Sequence, residues 1–160
     1  MKVQDLMTTS PAACTLTSSL ADAGTMMWHH DCGILPVVAE GGKVVGLITD
    51  RDICMAGVLT GRNFANIAVE DVVSRKVFAC RPDDDIRTAL KTMQENRIRR
   101  LPVVDELGLL QGILSMNDIV LKAGEAKDKK TPTVSYADVV TAYKSICEHQ
   151  LPLQAKAAGV

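Results

Sequence analysis

The sequence predicts a mixed α/β (α+β) fold in which one strand-helix-strand-strand-helix unit is used twice and followed by a separate C-terminal helix. Three observations predict it. Residues 3–57 align with residues 69–123 without a gap, at a constant offset of 66 residues. Within each copy the apolar spacing changes from helical periodicity to short valine-rich runs. At 160 residues and 47% hydrophobic content, the chain has the material for one compact domain or two small halves sharing a core.

The repeat pairs Val3 with Val69, Asp5 with Asp71, Ala13 and Cys14 with Ala79 and Cys80, Ala23 with Ala89, and Met27 with Met93. It continues through Leu35 to Val38 on Leu101 to Val104, then Gly42, Gly46, Asp52 and Ile53 on Gly108, Gly112, Asp118 and Ile119. A unit repeated at this length buries its apolar faces against its twin, and the surface where copies meet is the expected functional surface.

Each element follows from local chemistry. A short lead strand is expected at residues 11–13 and 77–79. Thr17, Ser18 and Ser19 offer caps before Leu20, Ala23, Met26 and Met27, and Asp83 to Asp85 precede Ile86, Ala89, Leu90 and Met93. Both sets have amphipathic helical spacing, the second with acidic groups at the positive helix end. The runs Leu35 to Val38 and Val44 to Ile48, parted by Glu40 to Lys43, read as a hairpin, as do Leu101 to Val104 and Leu109 to Leu114. A short helix is expected over Arg51 to Met55 and over Asn117 to Leu121, ending near Gly57 and Gly124.

These boundaries give a first repeat at 1–58, a connector at 59–68, a second repeat at 69–124 and a charged linker at 125–134. An amphipathic helix at 135–150 follows, capped by Ser135 with Asp138 three residues on. Its apolar stripe is Tyr136, Val139, Val140, Tyr143, Ile146 and Cys147. The stripe suits packing on the repeats or on a second subunit, and alternatively docking of a partner.

Composition narrows the function. A net charge of −1 and 3% aromatic residues give neither the field nor the stacking rings that nucleic-acid binding requires, so no nucleic-acid partner is expected. No run of eighteen apolar residues exists and no signal-peptide core follows Lys2, so the expectation is a cytoplasmic protein with no membrane contact and reduced thiols. With only His29, His30 and His149, and no nucleophile triad, P-loop or HExxH pattern, an enzyme is not expected.

Both copies carry one polar motif after the second strand, Gly46-Leu47-Ile48-Thr49-Asp50-Arg51-Asp52 and Gly112-Ile113-Leu114-Ser115-Met116-Asn117-Asp118. Together with the preceding Pro-Val-Val run, this resembles the cystathionine β-synthase (CBS) domain, whose tandem pair is also called a Bateman module. The resemblance covers about seven tenths of the chain. It implies a pseudo-twofold pair that binds adenine nucleotides (AMP, ADP, ATP or NAD-like) in clefts between the copies and signals occupancy by a change of shape or assembly. It also implies a homodimer through the helices of the repeats.

In that family the strand-to-helix turn holds the ribose and phosphate, which falls here on Thr49 and Asp52 and on Ser115 and Asp118. A carboxylate accepts from paired hydroxyls, and a hydroxyl one turn earlier reaches the sugar or phosphate. The same pairs equally fit a capping box that only starts a helix. The adenine slot falls on Ile34 and Pro36 with lead residue Ala12, and on Ile98, Leu101 and Pro102 with Val77 and Phe78. Arg97, Arg99 and Arg100 precede the second slot, where copy one has Asp31, Gly33 and Ile34. Arginine is a planar bidentate phosphate donor, so the Ser115/Asp118 site is expected to hold the phosphorylated nucleotide more tightly, with Arg51 reaching in from the other copy.

The layout is also similar to small bacterial stand-alone CBS-pair proteins of the hypoxic-response type, a group in which zinc is known. Cys14, His29, His30 and Cys32 supply zinc-binding atom types, but their spacing matches no standard module, and zinc is not expected. The remaining alternatives are a protein-interaction or zinc-binding stress protein without nucleotide function, and a detached regulatory subunit of an enzyme or transporter.

Overall fold

The computed structural model describes residues 1–124 and 134–148. Two three-stranded sheets and five α-helices make up the described residues, with helices packed on the sheets in a mixed α/β arrangement. Copy one supplies β2 (Cys14–Thr15), α1 (Leu20–His29), β3 (Ile34–Val38), β4 (Val44–Thr49) and α2 (Asp50–Thr60). Copy two supplies α3 (Ile86–Asn96), β5 (Arg100–Val104), β6 (Leu110–Ser115) and α4 (Met116–Lys122), and α5 (Tyr136–Cys147) follows. One further strand, β1 (Thr8–Thr9), precedes them all.

The lead strands expected at residues 11–13 and 77–79 are not strands. β2, just after the first, pairs parallel with β3 of its own copy, and Cys80 makes a single bridge to Val103. It is the stretches just before the expected leads that cross between copies. β1 pairs antiparallel with β6, with Thr8 opposite Ile113 and Thr9 opposite Gly112, so copy one donates an edge strand to the sheet of copy two. At the same repeat position Ser74 bridges Leu47 in the other direction. The residues before each lead cross as well. Val3 is buried in the core of copy two and donates its N–H to the carbonyl of Asp84 at 2.9 Å, while Val69 is buried in the core of copy one and donates to Ser18 at 2.8 Å. Each core is therefore completed by its twin, because a two-stranded hairpin with two helices leaves an apolar face uncovered.

The hairpins are near copies of each other, with the same irregularity at Val37/Val38 and Val103/Val104. Their tips meet: Val44 N–H donates to Gly108 O at 3.0 Å and Leu110 N–H to Gly42 O at 3.1 Å. The turns need Gly42 and Gly108 at φ +86° and +81°, a conformation that costs a residue with a Cβ.

Helix starts follow the sequence closely. Ser19, Thr49, Ser115 and Ser135 each cap their helix through a reciprocal box with an Asp three residues on, and Asp85 caps α3. Asp138, in the box of α5, has its carboxyl held below its ordinary value by the Ser135 N–H and hydroxyl, with Arg87 adding to the effect.

One helix end differs from expectation. α2 does not stop near Gly57 but runs to Thr60 and closes at Gly61 in the left-handed region, through residues expected in the connector. Gly57 is there for another reason. A Cβ on it would lie 2.6 Å from Cζ of Phe64, so glycine admits the ring rather than ending the helix.

The C-terminal stripe is split. Val139 and Ala142 are buried with Tyr143 and Ile146 against the core of copy two, whereas Tyr136, Val140 and Cys147 face outward. The helix thus packs on copy two through a narrower face, and the wider stripe read from the sequence is not a single buried face. Of the linker expected at 125–134, Val134 is buried at 2% exposure; residues 125–133, and the expected helix end at 149–150, lie outside the described residues. Because α5 covers α3, the matching face of copy one is left open, with Trp28 85%, Val58 71% and Leu59 76% exposed.

Candidate functional site

A cavity of about 300 Å³ lies where the crossing places the lead segment of copy one against the strand-to-helix turn of copy two. Copy one contributes Thr8, Ser10, Pro11 and Ala12 from the lead, His30, Asp31 and Cys32 from the end of α1, and Ile34 and Pro36 from β3. Copy two contributes Arg100, Ile113, Ser115, Asn117 and Asp118. Arg100 stands directly opposite Ser115 in the β5–β6 ladder, so the guanidinium is carried beside the turn by the register alone.

The turn is preorganised. Ser115 donates its N–H and its hydroxyl to Asp118 Oδ2 at 2.8 and 2.7 Å, and Asp118 N–H donates back to Ser115 Oγ at 3.3 Å. The Thr49/Asp52 turn repeats this, with distances of 2.9, 2.7 and 3.1 Å. Each box uses one carboxylate oxygen. The second oxygen, with its own lone pairs, takes no part in the cap. Capping and ligand binding, which the sequence left as alternatives, are therefore compatible in the same residues.

The cavity joins some of the residues the sequence singled out and separates others. Ala12, Ile34, Pro36, Arg100, Ser115 and Asp118 line it together, so the apolar slot of copy one meets the polar turn of copy two. Thr49, Asp52 and Arg51 lie at the equivalent turn at the start of α2, Arg51 being exposed. Leu101 is buried in the core of copy two, Pro102 is also buried, and Ile98 and Phe78 pack partly buried against that core. Val77 is half-buried, and Lys76 sits over the Phe78 ring at 5.1 Å. Arg99 is exposed in the bend just before β5, and Arg97 is paired with Glu148 at 3.3 Å, so of the three arginines only Arg100 lines this cavity.

Thr8, Ser10, Asp31 and Asn117 were not singled out as ligand residues. Their signal was present in the repeat, since Asn117 and Asp31 are the counterparts of Arg51 and Arg97, but it is legible only once the copies are crossed. Beside the cavity, a wider groove of about 630 Å³ runs between α1 and α2 past Trp28, Ile53, Cys54 and Phe64.

Of the cysteines and histidines singled out, His30 and Cys32 line this cavity, whereas Cys14 and His29 do not. Cys14 is buried, and burial pushes its thiol up to about 11. Cys80 is buried likewise, its thiol raised to about 12 by burial and then by the charge of Asp84. His29 and His30 are exposed at the end of α1, and among the described residues no group of three or more His, Cys, Asp or Glu side chains could hold a metal ion. His149 lies outside the described residues. No helix among them is long and apolar enough to cross a membrane.

Comparison with known proteins identifies the repeated unit. The family model described as CBS domain matches residues 3–58 and again residues 69–124. The CBS domain-containing protein YhcV of Bacillus subtilis is 30% identical over 139 residues, covering 86% of this chain and 97% of its own length. A homoserine O-acetyltransferase of Methanocorpusculum labreanum is 32% identical over 121 residues, and there the chain spans only 24% of the relative's length.

Among solved structures, Hypoxic Response Protein I with two coordinated zinc ions superposes with a TM-score of 0.70 at 26% identity, covering 78% of this chain and 100% of its own. Among the described residues of this chain no comparable group of side chains converges. The CBS domain pair of protein MJ0100, in complex with 5′-methylthioadenosine and S-adenosyl-L-methionine, has a TM-score of 0.68 at 26% identity over 76% of this chain and 98% of that one. CBSX2 in complex with AMP has a TM-score of 0.65 at 25% identity over 75% and 93%.

Proposed function

The chain belongs to the CBS domain family, and on that premise we propose that it is a regulatory module, without a reaction of its own, that binds an adenine nucleotide in the cavity between its copies. The observation that carries this reading is the convergence of an apolar slot with a carboxylate and hydroxyl pair across the repeat boundary. Ile34, Pro36 and Ala12 offer a flat apolar enclosure for a purine. Asp118 offers an oxygen outside the cap for the ribose hydroxyls, and Arg100 beside Ser115 offers a planar donor to a 5′ phosphate. Solved relatives holding AMP, or S-adenosyl-L-methionine and 5′-methylthioadenosine, support the ligand class.

Binding becomes regulation only if the ligand favours one conformation over another. The crossed lead segments supply the candidate element, since a ligand in the cavity touches both copies at once. Calorimetry with AMP, ADP, ATP, NAD and S-adenosylmethionine tests the reading, with Asp118→Ala as the variant. Loss of charge-assisted hydrogen bonds of about 1.5–3 kcal/mol weakens binding roughly ten- to hundredfold. Asp118→Asn, which can still cap α4, separates loss of binding from loss of the helix start. Unchanged affinity in folded Asp118→Ala protein overturns the assignment.

A further inference from the structure

Asp31 and Arg97 occupy the same position in the two repeats and share one unusual backbone conformation, with φ of +48° and +54°. In both copies the long helix ends in the same turn. Asp31 N–H bonds Trp28 O and Cys32 N–H bonds Met27 O, while Arg97 N–H bonds Gln94 O and Ile98 N–H bonds Met93 O. The helix end therefore fixes where this one side chain is delivered. The crossing then hands it to the other copy's turn, and Asp31 lines the cavity with Arg100, Ser115 and Asp118.

This changes the charge of the site from what the arginines alone suggested. The ionised groups lining it are one guanidinium, Arg100, and two carboxylates, Asp31 and Asp118, with the His30 imidazole beside them. Asp118 is engaged by Ser115 and, on the nucleotide reading, by the ribose. Among the described residues Asp31 has no such partner, and it lines the same cavity as Arg100. A single 5′ phosphate is balanced by Arg100, whereas each further phosphate adds negative charge in the presence of the Asp31 carboxylate. The volume of about 300 Å³ sits at the lower end of small-molecule sites, roughly 300–1,000 Å³, which also suits a compact ligand.

We propose that Asp31 is a specificity-determining residue that restricts the Ser115/Asp118 cavity to adenosine ligands whose 5′ group carries at most one phosphate or an uncharged or cationic substituent, and rejects polyphosphates. The inference rests on the nucleotide reading above and deepens it. Copy two carries Arg97, paired with Glu148, at the same backbone position in place of a carboxylate, and the repeat sets Lys76 and Arg51 at the positions of Ser10 and Asn117.

The test is a set of titrations with adenosine, AMP, ADP and ATP in an Asp52→Ala background, which removes the other turn's contribution. The variants are Asp31→Asn, which keeps a residue tolerant of the left-handed region, and Asp31→Arg, which installs the residue copy two carries. The parent protein is expected to bind AMP at least tenfold more tightly than ATP. Asp31→Asn narrows that ratio by roughly three- to tenfold, because Asp31 is exposed and its field is partly screened, and high salt shrinks the effect. Asp31→Arg narrows it further. If no adenine compound binds the parent, the nucleotide reading falls and this inference with it. If AMP binds but both variants keep the parental AMP to ATP ratio, the inference alone is overturned and the reading stands.

Discussion

Replacing Gly112 by alanine tests the crossing of the lead segments, on which the cavity depends. Gly112 is buried in β6 opposite Thr9 of β1. A Cβ there would lie 2.8 Å from the Thr8 carbonyl oxygen, 2.8 Å from Met7 Sδ and 3.2 Å from Met7 Cγ. Comfortable contact for carbon begins at roughly 3.5 Å, so the lead segment must retreat by several tenths of an ångström. Methionine can swing aside, but the Thr8 carbonyl belongs to the backbone of the crossing strand and cannot.

Overpacking of this kind costs about 1–3 kcal/mol. For a chain of this size that lowers Tm by roughly 2–10 °C and shifts the urea midpoint at constant m-value. Because Thr8 and Ile113 line the cavity, ligand affinity falls as well. Gly24→Ala is the control: its Cβ would meet nothing within 4 Å inside α1, and alanine there stabilises by roughly 0.5–1 kcal/mol. A Gly112→Ala protein with the parental urea midpoint and parental affinity would refute the crossing.

Two further predictions follow from burial and exposure. Cys14 and Cys80 stay protonated in the folded chain until about pH 11 and 12, against 9.0 for an ordinary thiol, so between pH 9 and 11 the unfolded chain binds fewer protons. Their contribution to stability is complete below pH 9 and is lost as pH rises above it, by about 3 kcal/mol for Cys14 alone, and urea unfolding of a Cys14→Ala/Cys80→Ala protein should show a flatter alkaline limb. At pH 8 a thiol reagent should modify exposed Cys54 and Cys147 quickly and leave Cys14 and Cys80 unmodified until the protein unfolds.

A homodimer, if formed, should use the α1/α2 face of copy one, because α5 of the same chain already covers α3. A twofold axis would set the exposed Trp28, Val58 and Leu59 against their own copies. Sedimentation of Trp28→Arg should then show monomer where the parent shows dimer, and an unchanged dimer would refute that surface.

The sequence by itself determined the repeat, the fold class and most helix starts, because those depend on residues three or four apart. Ser19, Thr49, Ser115 and Ser135 announce their helices through an Asp three positions on, and the i, i+3, i+4 spacing of Ile86, Ala89, Leu90 and Met93 buries one helix face whatever lies beneath it. Gly57 misled for a non-local reason: the Phe64 ring approaches it from beyond the helix, and nothing in the helix itself shows that.

Tertiary structure alone decided which slot faces which turn. Thr8 and Ile113 stand 105 residues apart and pair because each hairpin has one free edge that the other copy's lead segment can satisfy. Either lead could in principle have paired at home, and the apolar and polar patterns of the two copies are alike enough that sequence does not choose between the arrangements. The crossing sends Asp31, not Arg97, into the cavity with Arg100 and Asp118. It thereby turns a site that looked basic along the chain into one where carboxylates outnumber cations.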